Sequence, residues 1–313
     1  MNMKNFEQPP ATDIKSQLEQ VPGVSDVRTV VIDEEYLQLA KDELFIDQPE
    51  LVEKIKEQSE HIDAYTYKYL SDGLSIRGYL WVPKGTKDKL PLVMWNRGGV
   101  GRYSQIGDKR GTLMLHLSGD IARMGVAVAA TEYRGGGYDS EGVDEPGGAD
   151  LRDVTNLKDT IEKLPIIKEG KKIVVGICRG GMVGYMLAAR EDWVKGIVSL
   201  AGIADLSMDK EGLSKMEQKF REAFGVAKDE EIKERSATHF YNEIPLDLPI
   251  LMLHGDADDL ISVEQARKLY TLLKDSGHDV EYHEYPGAGH RLLEAKDQVL
   301  VSIEEFIKEN TQE

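Results

Sequence analysis

Apolar and polar residues change rhythm twice along the chain. Up to about residue 60 the sequence is polar and acidic, broken at Pro9-Pro10 and Pro22-Gly23. It carries helical spacing at 34–44 and at 49–60, the second with Pro49 near its start, where a missing N–H leaves no hydrogen bond unmade. From residue 61 the spacing falls to two: Ala64-Tyr65-Thr66-Tyr67-Lys68-Tyr69 and 74–82 flank Ser71-Asp72-Gly73 and end at Pro83-Lys84-Gly85. Two alternating runs around such a turn predict a strand hairpin. Beyond it, short apolar runs at 91–95, 126–130, 173–175, 197–200, 250–253 and 280–285 read as strands. Periodicity near 3.6 at 112–124, 150–164, 181–190, 263–276 and 293–309 places helices between them. Strands alternating with helices predict an α/β protein with a mostly parallel central sheet flanked by helices on both faces.

One interval breaks the alternation. Between the strand ending near residue 201 and the one starting at 249 lie more than 40 residues with short helical patterns, 214–224 and 229–234 among them. Insertions of that length inside a compact domain are usually functional, so a helical lid at about 203–247 is expected, with a surface decoration as the alternative. The division that follows is a helical N-terminal arm at 1–60 and a main domain at 61–313. The arm is expected to pack on the main domain or on a second subunit, the latter making a homo-oligomer.

Composition narrows the function classes. A chain of 313 residues with 41% hydrophobic and 30% charged residues can bury a substantial core, and its net charge of −17 opposes nucleic acid and anionic membrane as partners. The single cysteine excludes an intramolecular disulfide framework and any cysteine-rich metal site. The N-terminus has no apolar signal-like segment and nowhere do 18 apolar residues run together, so a soluble cytoplasmic protein is expected. No phosphate-loop or dinucleotide pattern occurs, and no cofactor or metal is expected.

The chemistry concentrates in KIVVGICRGGMVGY, from Lys172 to Tyr185. An apolar strand runs into Gly176-Ile177-Cys178-Arg179-Gly180 and then into helical spacing, so the chain must reverse sharply at Cys178. That is the form of a nucleophile elbow with cysteine where serine is usual; the following N–H groups, from Arg179 onward, open the helix and face the sulfur. A small buried residue ending a core strand is the competing reading. A nucleophile needs a base and a group that orients the base. Two later strands run into suitable loops: His254-Gly255-Asp256-Ala257-Asp258-Asp259, and Pro286-Gly287-Ala288-Gly289-His290. Three such features in the order nucleophile, acid, histidine, each after a strand, select His290 over the other histidines, while His254 reads as the end of a buried strand. Asn96-Arg97-Gly98-Gly99 after the strand at 91–95 is a candidate for the other half of an oxyanion hole, or a simple turn.

Together these motifs resemble the catalytic domain of the prolyl oligopeptidase family of α/β-hydrolases, from about residue 65 to the end. The matching stretches are SDG at 71–73, NRGG at 96–99, YRGGG at 133–137, DEPGGAD at 144–150, GICRGG at 176–181, HGDADD at 254–259 and AGH at 288–290. The resemblance implies an α/β-hydrolase fold and carries the family's serine, aspartate and histidine onto Cys178, Asp258 and His290. It chooses Asp258 over Asp256 and Asp259, because the acid stands four residues after the histidine of His-Gly. It carries the oxyanion donors onto the backbone of Arg179 and the neighbourhood of Asn96, Arg97 and Gly98. Two departures matter: about 60 N-terminal residues cannot form the β-propeller of the large peptidases, and the cysteine is more similar to dienelactone hydrolase. The implied function is hydrolysis of a small ester, thioester or lactone, or of a short peptide or aminoacyl amide, through a covalent acyl-Cys178. The alternatives are a serine esterase or peptidase whose nucleophile was replaced by cysteine, and a catalytically silent binding protein on the same fold.

Overall fold

The computed structural model describes residues 13–31, 49–101, 112–137, 139–170, 172–207 and 229–311. Among these residues nine strands form one mixed sheet: β1 (Ser25–Thr29), β2 (Ile62–Ser71), β3 (Leu74–Pro83), β4 (Leu92–Asn96), β5 (Ala127–Thr131), β6 (Lys172–Ile177), β7 (Val194–Leu200), β8 (Ile250–Gly255) and β9 (Val280–Tyr285). Their spatial order is β1-β2-β3-β5-β4-β6-β7-β8-β9. The first three strands and the β3–β5 pair are antiparallel; from β5 to β9 every pair is parallel. The β2–β3 hairpin turns on Asp72 and Gly73, with φ of 52° and 83°, the left-handed pair that a two-residue turn matched to strand twist requires. Strands β4, β5, β6 and β8 are buried along their whole length, which is why they read as unbroken apolar runs.

The α-helices among the described residues are α1 (Ile14–Gln20), α2 (Pro49–His61), α3 (Thr112–Arg123), α4 (Asp150–Ile161), α5 (Arg179–Arg190), α6 (Asp229–Glu234), α7 (Ala237–Phe240), α8 (Val263–Asp275) and α9 (Lys296–Thr311). Parallel crossovers are right-handed, so α3, which leads from β4 toward β3, lies on the face opposite α4, α5 and α8, which lead the other way. The packing agrees: α9 rests on α3 and on β7, whereas α7 lies against α5 and α8. The C-terminal ends of β4, β6, β7 and β8 stand level, with Asn96 beside Gly176, Ile177 beside Leu200, and Leu200 beside Leu253. Loops leaving those ends therefore meet along one edge of the sheet, next to the point where the strand order reverses.

The N-terminal segment differs from the helical arm expected over 1–60. Helix α1 is capped by Asp13, and β1 then joins the sheet by pairing with β2. Alternation could not reveal β1, because only Val27 of SDVRT is even half-buried; the strand forms because the edge of β2 offers it a ladder. A register shift at Asp26 bends it, and Asp26 ion-pairs with Arg77 of β3. The helix at 49–60 is present as α2, fixed to α3 by a hydrogen bond from Gln58 Nε2 to Asp120 Oδ1. The helical patterns at 34–44 and 214–224 lie outside the described residues. Of the expected lid, residues 203–207 and 229–247, with α6 and α7, are described; Arg235 Nε donates to the Pro146 carbonyl, and Arg190 Nη2 at the end of α5 donates to that of Glu234. No helix among the described residues is long and apolar enough to cross a membrane.

Candidate active site

Cys178 sits between β6 and α5 with φ 57° and ψ −118°, a backbone conformation that L-residues rarely hold and that surrounding structure must enforce. The enforcing contacts are close. A Cβ at Gly180 would lie 2.0 Å from the Asn96 carbonyl oxygen, and one at Gly176 would lie 2.2 Å from that of Gly180, so only glycine lets strand, turn and helix close up here. The Cys178 N–H donates to the Leu200 carbonyl of β7, and its own carbonyl accepts from Gly181, Met182 and Ile203. The residue is 3% exposed.

His290 and Asp258 reach the same edge on the loops after β9 and β8. These loops are welded: a Cβ at Gly255 would fall 2.0 Å from the Ala288 carbonyl, Ala257 N donates to that carbonyl at 3.1 Å, and Gly287 N donates to Asp256 Oδ1 at 2.6 Å. His290 Nδ1 lies 2.8 Å from Asp258 Oδ2. The other carboxylate oxygen accepts from Leu260 N and Ile261 N, both at 2.9 Å. Burial pushes the Asp258 carboxyl up, but bonds from His254, His290 and the Ile261 backbone hold it well below the usual carboxylate range. His290 is pushed up to about 10: burial favours its neutral form, and this is outweighed by the charge on Cys178, within hydrogen-bonding reach, and by Asp258. The neighbouring carboxylates stand apart. Asp256 is exposed and bonded to Gly287, and Asp259 is exposed.

The loop after β4 passes beside the sulfur. A Cβ at Gly98 would stand 3.1 Å from Cys178 Cβ and 3.8 Å from Sγ. The Arg97 side chain turns away into the protein, fully buried, with Nε 3.0 Å from Glu132 and the guanidinium over the Tyr133 ring. Arg179 behaves likewise. Its guanidinium binds Asp144 (Nη2 to Oδ1 2.5 Å) and Asp150 (2.7 Å), donates to the Gly99 carbonyl at 3.0 Å, and lies 4.5 Å over the same ring. Its positive charge is matched by two carboxylates instead of being left for the sulfur, and what Arg179 offers at the elbow is its backbone N–H, the first of α5 and without an intrahelical acceptor. The sequence marked the 144–150 stretch but not this role; the signal available was two aspartates six residues apart in a glycine-rich loop.

Sequence reading also set His254 aside, yet its Nε2 lies 3.1 Å from Asp258 Oδ2 and 3.1 Å from the Ile261 carbonyl. Three further histidines serve elsewhere: His278 is tied to the Ile244 carbonyl, His283 to Ser302 and Glu281, and His239 to Ser207.

Comparison with known proteins bears on the fold and the family. The chain is 27% identical over 236 residues to the uncharacterized peptidase YtmA of Bacillus subtilis, covering 74% of this chain and 88% of that protein. Its fold is similar to that of the Pyrococcus horikoshii acylaminoacyl peptidase, with a TM-score of 0.66 at 19% identity over 81% of this chain but only 42% of that one. It is similar also to esterase Est22, with a TM-score of 0.65 at 18% identity, over 86% of this chain and 92% of the other. The model of the prolyl oligopeptidase family matches residues 117–313, which hold the elbow, the acid loop and the histidine loop. The α/β-hydrolase fold, the order of those three features along it and that match together assign the chain to the prolyl oligopeptidase family.

Proposed function

We propose that the protein hydrolyses small acyl esters, thioesters or lactones, with short peptides or aminoacyl amides as slower substrates, through a covalent acyl-Cys178. The observation that carries this reading is the strained elbow conformation of Cys178 on the same sheet edge as the hydrogen-bonded pair His290–Asp258. The Cys178 thiolate attacks the carbonyl carbon and its electron pair moves onto oxygen. The backbone N–H of Arg179 and donors of the Asn96-Arg97-Gly98 loop are suited to stabilise that oxyanion. Collapse of the intermediate breaks the bond to the leaving group, which takes a proton from the His290 imidazolium. Neutral His290 then removes a proton from water, the hydroxide adds to the thioester, and the thiolate departs with the acid released. Asp258 keeps the imidazole in the tautomer that carries its proton on Nδ1 and stabilises the imidazolium.

The preference for esters follows from leaving groups. A thiolate leaves an amide-derived intermediate more readily than an unprotonated amine, so amide substrates return to starting material unless protonation comes first. The relatives named peptidase or esterase are compatible with either outcome. The test is intact-protein mass spectrometry during turnover of p-nitrophenyl acetate and an aminoacyl p-nitroanilide. Addition of one acyl group to the wild-type chain, absent in Cys178→Ala, is expected with the ester and weaker or absent with the anilide. Turnover with no acyl adduct on Cys178 under rapid quench, or equal activity in Cys178→Ala, sinks the reading.

A further inference from the structure

His254 is the penultimate residue of β8 and is 1% exposed, buried beside the acid loop. Both groups within 3.1 Å of its Nε2 are acceptors, the Asp258 carboxylate and the Ile261 carbonyl, so Nε2 carries a proton. The accepting oxygen on Asp258 is Oδ2, the one that also takes His290 Nδ1. On the opposite oxygen Asp258 closes a tight turn with Leu260 N and Ile261 N, and the Ile261 carbonyl returns to His254. A carboxylate held only by those two backbone bonds could still swing Oδ2 about its side-chain torsion. The imidazole of His254, with Nε2 3.1 Å from Oδ2, limits that swing.

We propose that His254 is a positioning residue for acyl transfer: its Nε2–H, bridging Asp258 and the Ile261 carbonyl, fixes Oδ2 where His290 Nδ1 requires it. This rests on the acyl-cysteine reading above, so the test has one arm that needs no turnover. The kinetic arm compares p-nitrophenyl acetate hydrolysis by wild type, His254→Leu and His254→Gln, the last placing an amide N–H close to where Nε2 stood. The spectroscopic arm follows the His290 Nδ1 proton by NMR of the full chain carrying nitrogen-15 histidine.

Loss of a hydrogen bond to a charged group that matters in the transition state corresponds to a fall of about 10- to 100-fold. That fall is expected in kcat for His254→Leu at unchanged KM, with the His290 Nδ1 proton signal shifted, while His254→Gln retains most of kcat and the wild-type signal. If His254→Leu does not fold, His254→Asn, whose amide stops short of Asp258, replaces it. The proposal is overturned by a wild-type kcat in the variant lacking the donor, by His254→Gln as slow as that variant, or by a loss confined to KM. Should wild type itself not turn over the ester, the acyl-transfer reading fails separately, and an unmoved His290 signal in the variant overturns the placement of Asp258 by His254.

Discussion

Four N–H groups converge on Asp258, two from backbone and two from imidazoles, which leaves its carboxylate a single useful orientation. Asp258→Asn puts an amide where one of these donors must point at it, and the wrong histidine tautomer then follows; kcat should fall by about 10²- to 10⁴-fold, the upper figure being that of a serine triad. Asp256→Asn keeps an oxygen for Gly287 N, and Asp259 is exposed, so both variants should stay near wild type in the same assay. An equal or larger loss in either would move the acid assignment. A second expectation concerns charge. The pKa of His290 is raised, so its protonated form is favoured by folding; the stability this contributes is present below the ordinary value near 6.5 and is lost as pH rises through about 10. For Asp258 the sign is reversed, and its contribution is lost as pH falls through the acid range. Because the Cys178 charge is a leading cause of the rise, Cys178→Ala should bring the His290 titration down toward its ordinary value. An NMR titration that leaves it near 10 would assign the shift to Asp258 alone.

At the scale of elements, the elbow and α5 were legible because their constraints are local. Glycines at 176, 180 and 181 around one cysteine state in sequence the close approach that the backbone makes. Strands β4 to β8 were legible as largely buried apolar runs for the same reason. What escaped was held by distant partners. Arg179 was legible only through its backbone N–H at the elbow, whereas its guanidinium ties α5 to the 144–150 loop and to Gly99. His254 looked like the end of a strand because its contact with Asp258 depends on how the acid loop turns. Strand β1 escaped because its partner, not its own pattern, makes it a strand. Removing the Arg179 side chain leaves Asp150, fully buried, without its cation; Arg179→Met should therefore destabilise the fold by about 3–5 kcal/mol. Arg179→Lys should recover only part of it, since an ammonium cannot reproduce the forked contacts. Urea unfolding midpoints decide this, and a neutral Arg179→Met would mean the network is not structural.

At the scale of the molecule, the antiparallel side of the sheet raises a question separate from catalysis. Strand β2 is ten residues long and alternates from Ala64 onward, with Tyr65, Tyr67 and Tyr69 buried. Its outer edge is paired by β1 around residues 65–68. A strand of that length left open is a template for another chain, whereas β1 is short, polar and bent at Asp26, the features that blunt an edge. Without β1 that edge lies open, so a chain begun at residue 49 should form dimers or larger species through β2 while the loops of the active-site edge stay intact. Light scattering across a concentration series would register this, and a monodisperse monomer after that deletion would show that the β2 edge needs no cover.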